Sequence, residues 1–375
     1  MRRLVALAWP GGSGFVDELQ RIWDAGDAVL PVDLRLPPPS RKRLLDALAP
    51  HMVVGPDGID QRPGGLPTDD GDALVVATSG TTGEPKGVVL THDAVRTSAL
   101  ATSRRLAAEP DTDRWLACLP LSHVGGLAVV TRSIHTGVPV EVHDGFDSVA
   151  VSAAARRGAT LVSLVPTALA RIDPSLFRVV LVGGSAPPRE RPAHVLATYG
   201  LTETGSGVVY EGEPLDGVEV RVVDGEVQVR GPMLLRAYRN GSDPKLAGGW
   251  LPTGDAGELG ADGRLRVFGR RGEMIVTGGE NVWPAAVEAV LARHWGIAAV
   301  AVVGRADPEW GQRVTAVAVP TDRTDLPRLE ELRDHVRAEL PAFCAPRSIE
   351  WVDDLPRTPL GKVRRQTPGE PGPPG

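Results

Sequence analysis

The sequence has little cysteine, no long apolar run and no excess of positive charge, and each shortage excludes a class of protein. Its 375 residues include only two cysteines, Cys118 and Cys344. They lie far apart and follow no metal-binding spacing, so we expect neither a disulfide framework nor a cysteine–zinc site. The formal net charge of −6 argues against a nucleic-acid partner. No apolar run is long enough to cross a bilayer.

The first ten residues imitate a secretory signal but do not complete one. Arg2 and Arg3 precede a short apolar stretch that ends at Pro10, which is too early for a signal peptide. We therefore expect a cytoplasmic protein whose partners include neither a membrane nor a nucleic acid. A chain of this length is also expected to form more than one domain.

A run of hydroxyls and glycines over residues 78–87 is the most informative stretch. It reads Thr78-Ser79-Gly80-Thr81-Thr82-Gly83-Glu84-Pro85-Lys86-Gly87. Glycines let the backbone approach a ligand closely, and the hydroxyl and N–H groups can converge on an anion beside the charge of Lys86. A flexible linker is the simpler alternative, but apolar runs at 73–77 and 88–90 flank the stretch as strands would. We predict a phosphate-binding loop that is not a Walker loop, because the Walker glycine spacing is missing.

The order of apolar and polar residues predicts an α/β body. Residues 1–71 read as a small α/β segment that ends in a loop over 55–72. From about 91 to 182, predicted strands and helices alternate, which is typical of a doubly wound sheet. From about residue 214, short alternating segments predict a small antiparallel β subdomain. A smaller α+β unit is predicted beyond residue 271.

Six further motifs follow the phosphate stretch. They are Leu119–Gly126, which contains Pro-Leu-Ser-His, then Gly183–Ala186, Tyr199–Thr204, Thr253–Asp255, Gly269–Pro284 and Pro359–Lys362. In this order the seven motifs resemble those of the adenylate-forming superfamily, which includes acyl-CoA synthetases, adenylation domains and luciferases. One such motif is only moderately specific, but seven in order across residues 72–365 are very specific.

The resemblance implies two domains and a tail. An N-terminal domain over 1–270 would bind ATP and the acid, and its first part, 1–71, is reduced in size. A smaller, mobile α+β domain over 271–366 would carry a catalytic lysine. The Pro/Gly-rich end over 367–375 is expected to be disordered.

The resemblance also implies roles for single residues. Lys362 would stabilise charge at the reacting carboxylate and the α-phosphate, Thr202 would hydrogen-bond the α-phosphate, and Glu203 would be the Mg²⁺ ligand. Taken alone, Lys362 reads as a solvated lysine, the Thr-Glu pair as a helix cap, and Asp255 as part of a turn. The residues implied in ATP or AMP binding are Thr78, Ser79, Gly80, Thr81, Thr82, Gly83, Lys86, Gly183, Gly184, Ser185, Tyr199, Gly200, Thr202, Asp255 and Arg270.

The implied acid pocket includes His123, Gly184 and Thr204, and the resemblance also implies that His123 is a catalytic residue. For His123 the alternative is a packed polar residue without a binding role. A second carboxylate on the acid would need a cationic or multi-donor partner, and Arg96 and Arg132 are the candidates. The implied pocket walls are residues 163–167 and 204–207.

The implied hinge and coenzyme A residues show one departure from the family. Relatives usually carry Asp or Lys at the hinge, where this chain has Gly272; glycine permits rotation but offers no side-chain contact. Gly278, Gly279 and Glu280 would form a strand edge beside the thin arm of coenzyme A, although the two glycines also fit a bulge.

The second departure is the short N-terminal part, since the phosphate stretch begins at residue 78. In this the chain resembles the branch of o-succinylbenzoate–CoA ligases of menaquinone biosynthesis. The branch implies that ATP and the acid give an acyl-adenylate and pyrophosphate, after which CoA gives the acyl-CoA and AMP. The alternatives are an enzyme that loads another acid onto CoA or a carrier protein, and a non-catalytic nucleotide-binding regulator. A homodimer is left open.

Overall fold

The computed structural model describes residues 2–79, 85–188 and 190–355, and the chain divides into two compact units. The first consists of Met1–Arg221, Gln228–Pro252 and Gly260–Leu265, and the second of Val222–Val227, Thr253–Leu259 and Arg266–Gly375. The domain limits at 270 and 366 stay a prediction, and the expected tail over 367–375 lies outside the described residues.

Eight α-helices lie in the described ranges. They are α1 (Ser13–Asp24), α2 (Pro38–Leu48), α3 (His92–Leu106), α4 (Val124–Thr136), α5 (Ser148–Arg156), α6 (Pro166–Leu169), α7 (Pro284–Leu291) and α8 (Leu329–Arg337). Helix α1 shows how the sequence sets them, since Phe15, Leu19 and Ile22 share one face and are buried. Among the described helices, none is long and apolar enough to cross a membrane.

The same ranges contain the strands of four sheets. They are β1 (Leu4–Leu7), β2 (Ala28–Pro31), β3 (Met52–Gly55), β4 (Gly58–Gln61), β5 (Asp72–Ser79), β6 (Pro85–Thr91), β7 (Trp115–Ala117), β8 (Val140–Val142), β9 (Leu161–Leu164), β10 (Val179–Val182), β11 (Val195–Gly200), β12 (Gly207–Tyr210), β13 (Glu213–Pro214), β14 (Glu219–Val223), β15 (Glu226–Arg230), β16 (Ala237–Tyr238), β17 (Leu251–Leu259), β18 (Leu265–Arg270), β19 (Ile275–Thr277), β20 (Glu280–Val282), β21 (Ile297–Asp307), β22 (Gly311–Pro320) and β23 (Ser348–Trp351).

The first sheet carries the phosphate stretch and has the order β16-β6-β5-β2-β1-β3-β4. Strands β3, β1, β2 and β5 are parallel, and β4 and β6 join antiparallel. The α/β alternation predicted for residues 1–71 is therefore confirmed. The loop predicted over 55–72 is wrong at Gly58–Gln61, which is β4. This exposed edge strand is held by backbone pairing with β3 and has no apolar alternation to reveal it.

The second sheet has the order β13-β12-β11-β10-β9-β7-β8. Strands β8, β7, β9, β10 and β11 are parallel, so their carboxyl ends lie along one edge, where ligands of such sheets bind. This doubly wound part agrees with the predicted α/β body. Strand β11 has no counterpart among the predicted strands, and only Val195 of its six residues is buried.

Two smaller sheets complete the fold. One has the order β14-β15-β17-β18 and corresponds to the predicted β subdomain. The other has the order β20-β19-β22-β21, with β23 beside β22, and its core includes Val287, Val302, Val314 and Leu332. With α7 and α8 it forms the predicted α+β unit.

Candidate active site

The two ends of the phosphate stretch lie on the hairpin strands β5 and β6, which pair antiparallel. Thr78 on β5 is paired with Lys86 on β6, and Ser79 with Pro85. Directly paired residues of antiparallel strands have their Cβ atoms about 4.5–5.5 Å apart, so Thr78 and Lys86 stand together at the mouth of the hairpin. The flanking strands are as predicted. Gly80, Thr81, Thr82 and Gly83 lie outside the described residues.

The turn that carries Thr202 and Glu203 follows β11 as a short 3-10 helix, Thr202–Thr204. Leu201 N donates to Thr204 Oγ1 at 2.8 Å, and the Thr204 hydroxyl lies 2.6 Å from the Ser206 carbonyl oxygen. Thr204 is fully buried, so in this structure its hydroxyl serves the backbone of the turn. A Cβ on Gly200 would lie 2.1 Å from the Ser206 oxygen, and glycine is therefore required where the strand meets the turn.

The carboxylate of Glu203 is half-buried and held on one side only. Its Oε1 accepts a hydrogen bond of 2.9 Å from the Tyr238 hydroxyl, while its Oε2 has no hydrogen-bond partner among the described residues. Within those residues no three or more His, Cys, Asp or Glu side chains form a metal cluster. Mg²⁺ commonly binds through one or two carboxylates plus substrate phosphates and water. The Glu203 carboxylate, with one oxygen hydrogen-bonded, therefore fits this ion.

His123 stands at the N-cap of α4, and its Nε2 lies 3.9 Å from Asp33 Oδ2. Asp33 follows β2 and is buried, with Arg35 Nε and Nη2 donating to its two oxygens at 2.8 and 2.6 Å. Burial acts to raise the pKa of the Asp33 carboxyl, but the Arg35 hydrogen bonds and the nearby His123 bring it below its ordinary value. The reduced N-terminal segment thus delivers an ionised carboxylate to the histidine predicted for the acid pocket.

Five of the residues predicted to bind ATP or AMP lie at the carboxyl edge of the second sheet. Gly183, Gly184 and Ser185 follow β10, and Tyr199 and Gly200 end the neighbouring β11. The two strands are parallel and pair Val182 with Ala197. The structure therefore brings these two motifs together at one edge, and their nucleotide contacts stay a prediction.

Arg132 on α4 is buried, with 3% of its surface exposed. Its Nη2 donates to Ser206 Oγ at 2.5 Å and its Nη1 to Ser163 Oγ at 3.4 Å. In the described chain no carboxylate forms an ion pair with Arg132, and its Nε lacks a hydrogen-bond partner. The ring of Trp115 lies 5.2 Å from Arg132 Cζ, and the Nε1 of this tryptophan also lacks a partner among the described residues. Burial lowers the pKa of the Arg132 guanidinium, although arginine remains protonated in proteins.

The second unit places Asp255 and Arg270 side by side. Asp255 is buried, and Arg270 Nε lies 3.1 Å from its Oδ1. Arg270 Nη1 also donates to the Thr253 carbonyl oxygen at 2.6 Å. Thr253, Gly254 and Asp255 lie inside β17, so the turn that their sequence suggests in isolation is wrong. The main-chain N–H of Gly254 donates to Glu226 Oε1 at 2.9 Å.

Of the residues predicted to meet coenzyme A, Gly278 and Gly279 form a tight hairpin turn rather than a bulge, and Glu280 belongs to β20, which lies at the edge of its sheet as predicted. Gly278 and Gly279 are the two turn residues between β19 and β20, with φ of +59° and +85°. Two-residue turns with positive φ at both positions favour glycine, which explains the pair. Glu280 begins β20 and is exposed, and Gly272 lies in the short 3-10 helix Arg271–Glu273.

Two residues at these sites were not predicted, Tyr238 and Asp33. The predicted Lys362 lies outside the described residues, as Gly80, Thr81, Thr82 and Gly83 do. The signal for Tyr238 was weak: it is one of only three tyrosines in the chain. Asp33 follows a buried strand, which is a place where site residues of α/β sheets collect.

Comparison with known proteins gives consistent results. Residues 56–239 match the model of AMP-binding enzymes, and residues 286–362 match the AMP-binding enzyme C-terminal domain. A probable 2-succinylbenzoate–CoA ligase of Mycobacterium tuberculosis is 41% identical over 357 residues, which cover 87% of this chain and 92% of that protein. The o-succinylbenzoate CoA synthetase of Bacillus subtilis, solved with its acyl-adenylate intermediate, superposes with a TM-score of 0.87 at 27% identity, covering 99% of this chain and 89% of that one. The same synthetase solved with ATP and magnesium has a TM-score of 0.84 at 27% identity, covering 97% and 89%.

Proposed function

Since the chain belongs to the AMP-binding, adenylate-forming enzyme family, we propose that its acid substrate is o-succinylbenzoate, a dicarboxylic aromatic acid. The protein is an AMP-forming acid–CoA ligase. ATP and the acid give an acyl-adenylate and pyrophosphate, and coenzyme A then takes the acyl group and releases AMP. The substrate proposal is supported by the similar ligases and by the surroundings of Arg132.

The first half-reaction brings two anions together, the carboxylate and the triphosphate, so the protein must supply donors and cations. Thr78 and Lys86, paired at the hairpin mouth, hold the β- and γ-phosphates until pyrophosphate leaves. Thr202 donates to the α-phosphate. Glu203 offers its Oε2 to Mg²⁺, which when bound offsets part of the phosphate charge.

Other residues bind the ribose and the reacting centre. The Asp255 carboxylate accepts hydrogen bonds from the ribose hydroxyls, and Arg270, 3.1 Å away, holds that carboxylate in place. Lys362 keeps its predicted role at the reacting carboxylate and α-phosphate. His123, beside Asp33, lies at the acid pocket.

The observation that carries the substrate proposal is the buried charge of Arg132. An interior cation without a carboxylate is costly, and in the described chain Arg132 bonds only to two serine hydroxyls. Ser163 and Ser206 belong to the two predicted pocket walls, 163–167 and 204–207. A second carboxylate on the substrate would neutralise the guanidinium there and take up its unused Nε donor.

A screen of acids with the full chain tests the proposal. AMP release is measured with ATP, Mg²⁺, CoA and one acid at a time, over aromatic and aliphatic mono- and dicarboxylic acids. We expect the highest kcat/KM for o-succinylbenzoate, and values at least about a hundredfold lower for mono-acids, which leave Arg132 without a partner. Another acid with the highest value would overturn the substrate, and no AMP release with any acid would overturn the whole proposal.

A cytoplasmic location stays a prediction, and the oligomeric state stays open. Light scattering on the purified full chain decides the oligomeric state, since a monomer has a molar mass of 39.6 kDa and a homodimer has twice that mass.

A further inference from the structure

Tyr238 contacts both the predicted metal ligand and the predicted phosphate-binding lysine. Its hydroxyl donates to Glu203 Oε1 at 2.9 Å. On the face of its ring, Lys86 Nζ lies 5.5 Å from the ring centre, within the range of a cation–π interaction. Tyr238 lies outside the seven family motifs, so the resemblance implies no role for it.

The backbone around Tyr238 is bonded to the same two elements. Strand β16 pairs with β6, with Tyr238 opposite Val88. Just before the strand, Leu235 N donates to the Glu203 carbonyl oxygen at 2.7 Å, and just after it, Arg239 N donates to the Gly87 carbonyl oxygen at 2.7 Å. Residues 235–239 therefore connect the turn of Glu203 to the strand of Lys86 through both main chain and side chain.

We propose that Tyr238 is a positioning residue that fixes the Glu203 carboxylate for the Mg²⁺–ATP complex. The inference rests on the proposed function, because it assumes that Glu203 meets a metal. The phenol holds Oε1, which removes the rotation of the carboxylate and leaves Oε2 for the ion. Partners that orient a metal ligand in this way strengthen metal binding, because the ligand loses less freedom when the ion arrives.

The test is Tyr238→Phe, which removes the hydroxyl and keeps the ring beside Lys86. Calorimetry measures the affinity of the full chain for a non-hydrolysable ATP analogue, with Mg²⁺ and with the metal chelated. The ratio of the two dissociation constants is the metal's contribution to binding. We expect this ratio to fall about tenfold in Tyr238→Phe, while the metal-free affinity stays unchanged.

Tyr210→Phe is the matched control. It removes a phenol hydroxyl of the same unit, one that lies 3.2 Å from Thr102 Oγ1 and is bonded to no carboxylate in the described structure. Its metal ratio should equal that of the wild type. Thermal unfolding of each variant shows whether the fold is retained.

A double-mutant cycle separates a positioning role from a merely structural one. Glu203→Gln removes the anionic ligand, so adding Tyr238→Phe to it should cause no further loss in the metal ratio. A full, additive loss in that background would overturn the inference, as would a wild-type metal ratio in Tyr238→Phe alone. If instead wild-type ATP affinity does not respond to Mg²⁺, the proposed function fails first, and the inference fails with it.

Discussion

Arg132→Met should remove most of the preference for a dicarboxylic acid. Methionine fills a similar volume without charge. If a substrate carboxylate pairs with Arg132, which is 3% exposed, the pair is a buried one, and deleting one partner of such a pair costs about 3–5 kcal/mol. Since about 1.4 kcal/mol is a factor of ten, kcat/KM for o-succinylbenzoate should fall by roughly a hundredfold to several thousandfold.

The assay is steady-state AMP release with o-succinylbenzoate and with the two mono-acids that each lack one of its carboxylates. The mono-acid that keeps the reacting carboxylate has no charge to place beside residue 132, so its kcat/KM should change by less than about fivefold. The ratio of the dicarboxylic acid to this mono-acid therefore isolates the contribution of the guanidinium.

Arg96→Met is the control, because Arg96 was the other candidate and is exposed on α3. It should leave both kcat/KM values within a factor of about two. The melting temperature of Arg132→Met without substrate should not fall, since the substitution removes an interior charge with no carboxylate partner in the described chain. Equal losses for both acids, together with a lower melting temperature, would refute the reasoning and make Arg132 a structural residue.

Three further outcomes are expected. Asp33→Asn removes the charge 3.9 Å from His123 Nε2, so the KM for the acid should rise by about two- to fivefold while the KM for ATP stays unchanged. Equal rises in both KM values would contradict a role of Asp33 at the acid pocket. Gly278→Ala places a Cβ 2.5 Å from the Trp310 ring at a φ of +59°, so calorimetric melting should show a loss of about 1–3 kcal/mol in the free energy of unfolding. In the control Gly272→Ala the Cβ would meet no described atom within 4 Å, so this variant should melt like the wild type. Burial acts to raise the pKa of Asp113, but hydrogen bonds from Arg178 and Thr160 bring it below its ordinary value of 3.8. Such a carboxylate stabilises the fold at pH values above its unfolded pKa, and this stabilisation is lost as the pH falls through the lower pKa of the folded state. In urea unfolding, the stability advantage of the wild type over Asp113→Asn should therefore shrink below about pH 4, and an advantage that stays constant on acidification would show that the ionised carboxylate is not its source.

The sequence was informative where a pattern is local. The strands on either side of the phosphate stretch could be predicted because apolar runs lead into and out of it, whereas their antiparallel pairing comes from the structure. Strand β4 could not, because all four of its residues are exposed and backbone pairing alone holds them. The pair Gly278-Gly279 fitted a strand edge as well as a bulge in the sequence. Its place in a hairpin turn depends on the pairing of β19 with β20, which the sequence does not show.

Contacts between distant segments escaped prediction for a different reason. Tyr238 reaches Glu203 across 35 residues of chain, and Asp33 reaches His123 from the reduced N-terminal segment. Neither pairing leaves a periodic pattern in the sequence, because sheet order alone brings the segments together. The uncompensated burial of Arg132 likewise becomes visible only once α4 is packed against the two serines.

The central claim is that the chain activates o-succinylbenzoate by adenylation, and isotope exchange between pyrophosphate and ATP tests it most directly. The full chain is incubated with ATP, Mg²⁺ and labelled pyrophosphate, without CoA. The account predicts label in ATP only when o-succinylbenzoate is added, and loss of the exchange in Lys362→Ala. No exchange above background with this acid, from protein that melts cooperatively, would contradict it.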